Sequence, residues 1–268
     1  MTEQQTGYHS NQQRANEHSD TGKTGTLYGV GVGPGDPDLL TLKAFNTIRN
    51  APVVCYLAGE TGNSQAKMIA GKALLERQNH FAEHKDKPLP DIVIAMPMSK
   101  DRSLANRAYD RATQSIKEVL DAGLDVAFLC EGDPLFFGSF SYLLERLQDD
   151  YPCQVIPGIS SVNAAAGVVL QPLVMLKESF IVVSGRHQDG QIERALKEHD
   201  SVVIIKAGQA RSRILTLLEA TGRTADATYL EYVGRDNQQI VTDVTELLPQ
   251  PGPYFSLFLI LPPGARHG

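Results

Sequence analysis

The sequence lacks an excess of basic residues and any long apolar run. Lysines and arginines number 25 against 31 aspartates and glutamates, a net charge of −6 over 268 residues, which argues against broad binding to nucleic acids or anionic membranes. No apolar run approaches the roughly 20 residues of a transmembrane helix, and residues 1–24 contain no apolar core of a secretory signal. We therefore expect a soluble cytoplasmic protein without nucleic-acid or membrane partners.

Cysteines and metal-ligand patterns are also scarce. Cys55, Cys130 and Cys153 are scattered without Cys-x-x-Cys spacing, and two of them lie in apolar strand-like runs where a buried thiol is common. His80 and His84 are four residues apart, yet no third ligand is evident near them. The sequence therefore predicts no metal site and fits a reducing compartment.

Three familiar functional motifs are absent. Gly-x-Gly-x-x-Gly fails because, counted from Gly29 or Gly31, the third glycine position holds Pro34 or Asp36. Gly22–Thr24 resembles the end of a P-loop but lacks the required upstream glycine and a preceding strand. No Gly-x-Ser-x-Gly elbow occurs. These absences disfavour a dinucleotide-dependent dehydrogenase, a P-loop enzyme and an α/β-hydrolase.

The pattern of apolar residues predicts an α/β protein behind a polar tail. Residues 1–24 have almost no large apolar side chains, so we expect a disordered tail. From Thr26, β-branched runs alternate with amphipathic stretches, as in α/β architectures. The predicted strands are Thr26–Gly33, Val53–Leu57, Ile92–Ala95, Asp125–Cys130, Gln154–Ile156, Phe180–Ser184, Val202–Lys206, Ala227–Glu231, Gln239–Val244 and Tyr254–Leu261. The predicted helices are Ser64–Gln78, Asp101–Ala122, Gly138–Leu147, Gln191–Glu198 and Gln209–Ala220.

The pattern restarts after Asp149–Pro152, where we place a domain boundary. The expected division is an N-terminal α/β domain over residues 25–150, a C-terminal α/β domain over residues 151–264, and a short tail over residues 265–268.

Two strand ends carry glycine-rich breaks. The apolar run that ends at Cys130 is followed by Glu-Gly-Asp-Pro, and the first strand runs into Pro34–Pro37. Open α/β sheets usually bind small molecules at the carboxyl ends of their strands, and glycines let the backbone approach a ligand closely. A ligand site is one interpretation of Gly132–Pro134. A plain tight turn is the other, because Gly, Asp and Pro are ordinary turn formers.

Together, these two segments resemble the signatures of the tetrapyrrole methylases, which modify cobalamin and sirohaem precursors with S-adenosylmethionine. The resemblance runs from about residue 25 to residue 264 and implies two α/β domains with the cofactor cleft between them, a homodimer and a tetrapyrrole substrate. Glu131, with Phe136–Phe140 after it, most resembles the branch that acts at C-20 of precorrin-2. Branches that act on cobalt-sirohydrochlorin or uroporphyrinogen III stay open, as does a non-catalytic tetrapyrrole- or cofactor-binding protein.

The same resemblance implies the residues that bind S-adenosylmethionine. The residue types alone allow other roles: Ser160 and Ser161 suit helix caps, Phe136 a core position, and Lys206 a charge at a strand end. No catalytic residue is predicted, because methyl transfer requires alignment of the reactants rather than a protein nucleophile. The implied cofactor-binding residues are Pro34, Glu131, Gly132, Asp133, Phe136, Ser160, Ser161, Lys206 and Gly234. Candidates for contacts with substrate carboxylates are Lys100, Arg102, Arg107, Arg186 and Arg211.

Overall fold

The structure, a computed structural model, describes residues 23–59, 61–85, 87–97 and 101–262. The tail predicted for residues 265–268, Lys100, and all but the last two residues of the tail predicted for residues 1–24 lie outside the described residues. Two five-stranded sheets with helices packed on them make up the described part. The predicted α/β fold class is confirmed. None of the helices described is long and apolar enough to cross a membrane.

The first sheet is parallel throughout, with the strand order β3-β2-β4-β1-β5. Its strands are β1 (Leu27–Gly31), β2 (Val53–Ala58), β3 (Ile92–Ala95), β4 (Val126–Cys130) and β5 (Cys153–Ile156). Its helices are α1 (Leu42–Asn50), α2 (Gln65–Ile69), α3 (Gly71–Glu83), α4 (Arg102–Asp121) and α5 (Phe140–Leu147). Because all five strands are parallel, their carboxyl ends meet at one edge.

The first sheet is buried on both faces, which explains its continuous apolar runs. In β4, Phe128 and Cys130 face α4 and α5, where they pack near Ile116 and Phe140. The alternate residues Ala127 and Leu129 belong to the cluster on the opposite face, with α1, α2 and α3. Burial on both sides fixes the direction in which β4 delivers the chain to the loop after Cys130.

The second sheet is mixed and has the order β6-β7-β10-β8-β9. β6 and β7 are parallel, and the other neighbours are antiparallel. Its strands are β6 (Phe180–Ser184), β7 (Ser201–Ile205), β8 (Ala227–Glu231), β9 (Gln239–Val241) and β10 (Ser256–Ile260). The helices packed with this sheet are α6 (Ser161–Val169), α7 (Asp189–Glu198) and α8 (Arg211–Ala220). We call the first sheet with its helices the first half and the second sheet with its helices the second half.

The pairing of strand β5 affects where the chain can be divided into two domains. Although it follows residue 150, it pairs in parallel with β1, with Leu27 opposite Cys153. A division at residue 150 would therefore separate β5 from its own sheet. The division into domains stays a prediction.

Several predicted elements differ from the observed ones. The helix predicted over Ser64–Gln78 is two helices that meet at Ala70, whose ψ of 4° interrupts the helical path. The strand predicted to reach Val244 ends at Val241, and α1 and α6 were not predicted. α1 begins where the Thr41 hydroxyl accepts a hydrogen bond from the Ala44 amide at 3.1 Å, a cap that precedes only a short amphipathic stretch.

Candidate functional site

The candidate site begins where β1 and β4 end side by side. Gly33 and Gly132 form an isolated antiparallel bridge, in which the Gly132 amide donates to the Gly33 carbonyl at 2.8 Å and the Gly33 amide donates to the Gly132 carbonyl at 3.3 Å. Their φ angles are +87° and +67°, a region that glycine enters without a steric penalty. The two glycine-rich loops predicted to form a site therefore pair directly.

Asp133 ties a third loop to this pair. One carboxylate oxygen, Oδ1, accepts hydrogen bonds from the amides of Leu135 and Phe136 at 2.9 and 3.0 Å. The other, Oδ2, accepts one from the Gly158 amide after β5 at 3.1 Å. A Cβ added to Gly158 would lie 2.1 Å from the Gly132 carbonyl oxygen. Asp133 therefore shapes its own turn and holds the loops after β4 and β5 in close contact.

Ser160 and Ser161 lie directly after this third loop, at the start of α6. The Ser160 hydroxyl accepts a hydrogen bond from the Asn163 amide at 3.3 Å and lies 2.6 Å from the Asn163 side-chain oxygen. Ser161 is the first helical residue. The alternative that Ser160 caps a helix is therefore confirmed. The start of α6 lies beside the joined loops, because a Cβ added to Gly132 would be 3.9 Å from the Ser160 Cα.

Pro34 and Gly234 lie where the loop after β1, in the first half, meets the loop after β8, in the second half. Pro34 is buried. Gly234 has a φ of +77°, and a Cβ added to it would lie 3.1 Å from the Asp36 amide and 3.7 Å from the Pro34 ring. The loop after β8 therefore packs against the loop after β1, so that residues from both halves border the site.

An apolar surface stands beside the joined loops. Leu135, Phe136 and Phe137 are exposed by 54%, 39% and 42% of their surfaces, and the two phenylalanine rings meet edge to face at 5.3 Å. Three consecutive exposed apolar side chains in one loop are typical of a binding surface. Phe136 is therefore not a core residue, which was the alternative reading of its position.

Glu131 is a partly buried acid between the two halves. Its Oε1 accepts a hydrogen bond from the Ala66 amide at 3.2 Å. Burial raises the pKa of this carboxyl, while the Ala66 hydrogen bond and the positive charges of Arg235 and Lys206 oppose that shift. Glu131 thus lies close to two cations of the second half, Arg235 and Lys206. We call this region, where the loops of the two halves meet, the cleft.

Lys206 is a partly buried cation whose pKa is lowered. It directly follows β7, which ends one residue earlier than predicted, and has a φ of +55°. Its Nζ donates to the Phe137 carbonyl at 3.0 Å, across the cleft. Burial lowers its pKa, the nearby Arg186 lowers it further, and Glu131 opposes both. Lys206 therefore links the second half to the loop that contains Phe137.

Sequence reasoning missed Arg235, which follows Gly234 and reaches into the first half to donate to the Gln65 side-chain oxygen at 2.6 Å. Nothing in the sequence around it pointed to a partner so far away along the chain. Among the carboxylate candidates, Arg186 lies over the Tyr254 ring at 5.7 Å, near Lys206. Arg211 instead pairs with Glu231 at 3.5 Å, and Arg102 and Arg107 lie at the start of α4.

The histidines predicted to hold no metal stand apart from this site. His80 and His84 lie at the end of α3, with their rings 4.6 Å apart. In the described ranges, no group of three or more His, Cys, Asp or Glu side chains is placed to hold a metal ion.

A comparison of the sequence with known protein families identifies the family of this chain. A sequence model of the Tetrapyrrole (Corrin/Porphyrin) Methylases matches residues 26–248. The chain belongs to the tetrapyrrole methylase family. The match spans the loops after β1, β4, β5 and β8, which meet at the site.

Individual members of the tetrapyrrole methylase family are similar over most of this chain. A Sinorhizobium protein named precorrin-2 C(20)-methyltransferase is 33% identical over 249 residues, which cover 88% of this chain and 95% of that protein. The cobalamin biosynthesis protein CobIJ of Mycobacterium tuberculosis is 37% identical over 91% of this chain, but the chain spans only 47% of that protein's length. The crystal structure of a uroporphyrin-III C-methyltransferase from Thermus thermophilus, complexed with S-adenosylhomocysteine, has a TM-score of 0.59 at 24% identity, covering 88% of this chain and 97% of that one.

The raised pKa of Glu131 predicts a pH-dependent cost to stability. An acid whose pKa is raised on folding destabilises the folded state once the pH exceeds its ordinary value near 4.5. We expect the free energy of unfolding of the wild type to fall relative to that of Glu131→Gln as the pH rises from about 4.5. Urea unfolding of both proteins between pH 4 and pH 8 measures this difference. A difference in unfolding free energy that does not change with pH would contradict a raised pKa for Glu131. A wild type that becomes more stable than Glu131→Gln as the pH rises would contradict it too.

Proposed function

We propose that this chain is an S-adenosylmethionine-dependent methyltransferase that methylates C-20 of precorrin-2 and forms precorrin-3A in cobalamin biosynthesis. One observation carries the proposal: the chain matches nearly the full length of a relative named for this reaction. The place of the Glu131–Asp133 segment, in the loop where β1 and β4 are bridged, supports it. The joined loops suit S-adenosylmethionine, and the charged side chains suit the tetrapyrrole.

The joined loops suit the cosubstrate. S-adenosylmethionine carries an adenine, a ribose, a sulfonium and an amino-acid end, so its site needs backbone donors and acceptors beside an apolar slot. Glycine loops and exposed Leu135, Phe136 and Phe137 supply both kinds of surface. The residues proposed to hold it are Pro34, Glu131, Gly132, Asp133, Phe136, Ser160, Ser161, Lys206 and Gly234. For Asp133 the role is positioning, because its oxygens accept backbone amides of the loops.

The proposed chemistry makes modest demands on the chain. The methyl group moves in line from sulfur to an electron-rich carbon of the macrocycle, and the sulfur–methyl bond breaks as S-adenosylhomocysteine leaves. The methylated carbon then releases its proton to solvent water. The protein must hold the two reactants in line and exclude competing orientations. We assign this positioning to the loops joined by the glycine bridge and by Asp133, and no side-chain nucleophile is required.

The charges of the cleft favour a polyanionic substrate. Lys206 is electrostatically coupled to Arg186 and to Glu131, and Arg235 is coupled to the same acid. Glu131 therefore has two cations beside it, and the third, Arg186, acts on Lys206, although the whole chain is acidic. Precorrin-2 is a polycarboxylate, and cationic side chains recognise carboxylates through charge-assisted hydrogen bonds.

The proposed enzyme is a cytoplasmic homodimer. Leu170 and Leu176, around the turn after α6, are exposed by 89% and 87% of their surfaces, and we assign these two apolar side chains to the dimer contact. Sedimentation equilibrium should give twice the 29.2 kDa mass of one chain. A mass of one chain at micromolar concentration would contradict the dimer.

The substrate is tested by anaerobic incubation with methyl-labelled S-adenosylmethionine. Precorrin-2, cobalt-sirohydrochlorin and uroporphyrinogen III are offered in parallel, and label and product mass are followed. We expect label in precorrin-2. Label only in cobalt-sirohydrochlorin would transfer the proposal to the cobalt-containing substrate, and label only in uroporphyrinogen III to the sister activity. Binding of S-adenosylhomocysteine without any methyl transfer would instead support a binding protein and refute the enzyme.

Asp133 provides a test of the site itself. Asp133→Ala removes the acceptor of three backbone amides, so we expect the affinity for S-adenosylhomocysteine to fall about 10- to 100-fold. Asp133→Asn keeps one acceptor oxygen and should lose less. Isothermal titration calorimetry gives both affinities.

The matched control for Asp133 is Asp110→Ala. Asp110 is an exposed carboxylate on α4, paired with Arg146 at 2.9 Å, and its loss should leave binding within about twofold of the wild type. Equal affinities for Asp133→Ala and Asp110→Ala would refute the role proposed for Asp133.

A further inference from the structure

Arg235 is an arginine of the second half held in the cleft between the halves. Its guanidinium lies over the Phe255 ring, 4.0 Å from the ring centre. Its Nη1 donates to the Gln65 side-chain oxygen of α2 at 2.6 Å. A Cβ added to Gly35 would lie 2.5 Å from the Arg235 Cγ. Contacts from both halves therefore fix the orientation of this side chain.

The opposite edge of the same guanidinium has no hydrogen-bond partner among the described residues. Nε and Nη2 of Arg235 are both buried and have no hydrogen-bond partner within the described part of the chain. These two nitrogens form one edge of the planar group, the edge that binds a carboxylate side-on through two parallel hydrogen bonds. A buried donor left unsatisfied destabilises a protein, so each such donor calls for an explanation.

Two other arginines show what a purely structural role looks like in this protein. Arg77 donates from Nε to the Ala51 carbonyl and from Nη2 to the Pro52 carbonyl, each at 2.7 Å, and pairs with Asp91. Arg223 likewise uses all three of its nitrogens, on Asp226 and on the carbonyls of Leu196, His199 and Asp200. Arg235 differs from both in its unpaired edge.

The nearest acid does not complete Arg235. Glu131 favours the charged form of Arg235, against the burial that lowers its pKa, yet its Oε1 accepts from the Ala66 amide and no ion pair joins it to Arg235 among the described contacts. A cation in the cleft therefore keeps two parallel donors for an anion that the described chain does not provide.

We propose that the Nε–Nη2 edge of Arg235 binds a carboxylate of a ligand in the cleft. Two ligands carry this group: S-adenosylmethionine, at its amino-acid end, and the tetrapyrrole, on its side chains. The inference rests on the proposed function, because it takes both reactants from it. Since the two nitrogens are buried, the loop around Gly234, where the Gly234 amide donates to the Gln238 side chain at 2.8 Å, shifts when the ligand enters.

Binding to Arg235→Gln and Arg235→Lys tests this proposal. Calorimetry measures the affinities for S-adenosylhomocysteine and for 5′-methylthioadenosine, which lacks the amino-acid end. The same method measures the affinities for sirohydrochlorin and for its methyl ester. The lysine variant keeps the charge but not the fork. The control is Arg49→Gln, at the far end of α1, whose Nε bonds the exposed Asn50 side chain at 3.3 Å.

A carboxylate from either source gives its own result. If it comes from the cosubstrate, both variants lose about 10- to 100-fold in affinity for S-adenosylhomocysteine and none for 5′-methylthioadenosine. If it comes from the macrocycle, sirohydrochlorin binding falls by a similar factor while its ester is unaffected. Unchanged binding of every ligand overturns the proposal, as does equal weakening of the ligands with and without a free carboxylate.

A second measurement uses the wild type and does not depend on the stability of a variant. The Nε–Hε signal of Arg235 in nitrogen-15 NMR, assigned by its loss in Arg235→Lys, should shift on addition of a carboxylate ligand and not of its carboxylate-free analogue. No shift with any ligand that binds overturns the proposal. Methyl transfer by the wild type is assayed in parallel, so that a failure of the proposed reaction is seen separately from the behaviour of Arg235.

Discussion

The mutual hydrogen bonding of Gly33 and Gly132 is the constraint on which the site depends. Two parallel strands deliver their chains to one edge of the first sheet, and the glycine bridge holds the following loops together there. Asp133 then adds the loop after β5 through the Gly158 amide. Without these contacts, Pro34 and Phe136 would belong to independent turns. With them, three separate stretches of sequence form one surface.

The second half contributes charge to this surface. Lys206 and Arg235 both reach across to first-half partners, the Phe137 carbonyl and the Gln65 side chain. Lys206 does so from a left-handed backbone conformation, with a φ of +55°, which is costly for a residue with a Cβ. Partly buried cations and a strained backbone reduce stability, and such features persist where a binding site uses them. The cleft is thus less optimised for stability than the two cores on either side.

Much of the fold could be predicted because burial leaves a periodic signature. The strands Ile92–Ala95, Phe180–Ser184 and Ala227–Glu231 occur at their predicted bounds, since both faces of most strands pack against helices and require apolar residues. The helix α6 was missed because its segment, Ser161–Val169, is mainly small residues with little polar alternation. Its start nevertheless had a readable signal in the Ser160 cap.

The glycine loops of the site could be predicted from local chemistry, whereas its long-range charges could not. Arg235 lies 170 residues from its partner Gln65, and only the tertiary fold brings them together. The same holds for the contact between Lys206 and Phe137, because no periodicity relates residues on different sheets. Sequence therefore indicated where backbone groups gather, but not which charged side chains cross the cleft to meet them.

A crystal structure of the protein soaked with S-adenosylhomocysteine would show where the cosubstrate binds. We predict that the ligand lies at the carboxyl ends of β1 and β4, against the bridged glycines and Phe136, between the two halves. Density for the ligand elsewhere, such as the cavity lined by His187 and His199 beside α7, with the glycine bridge unchanged and uncontacted, would contradict it.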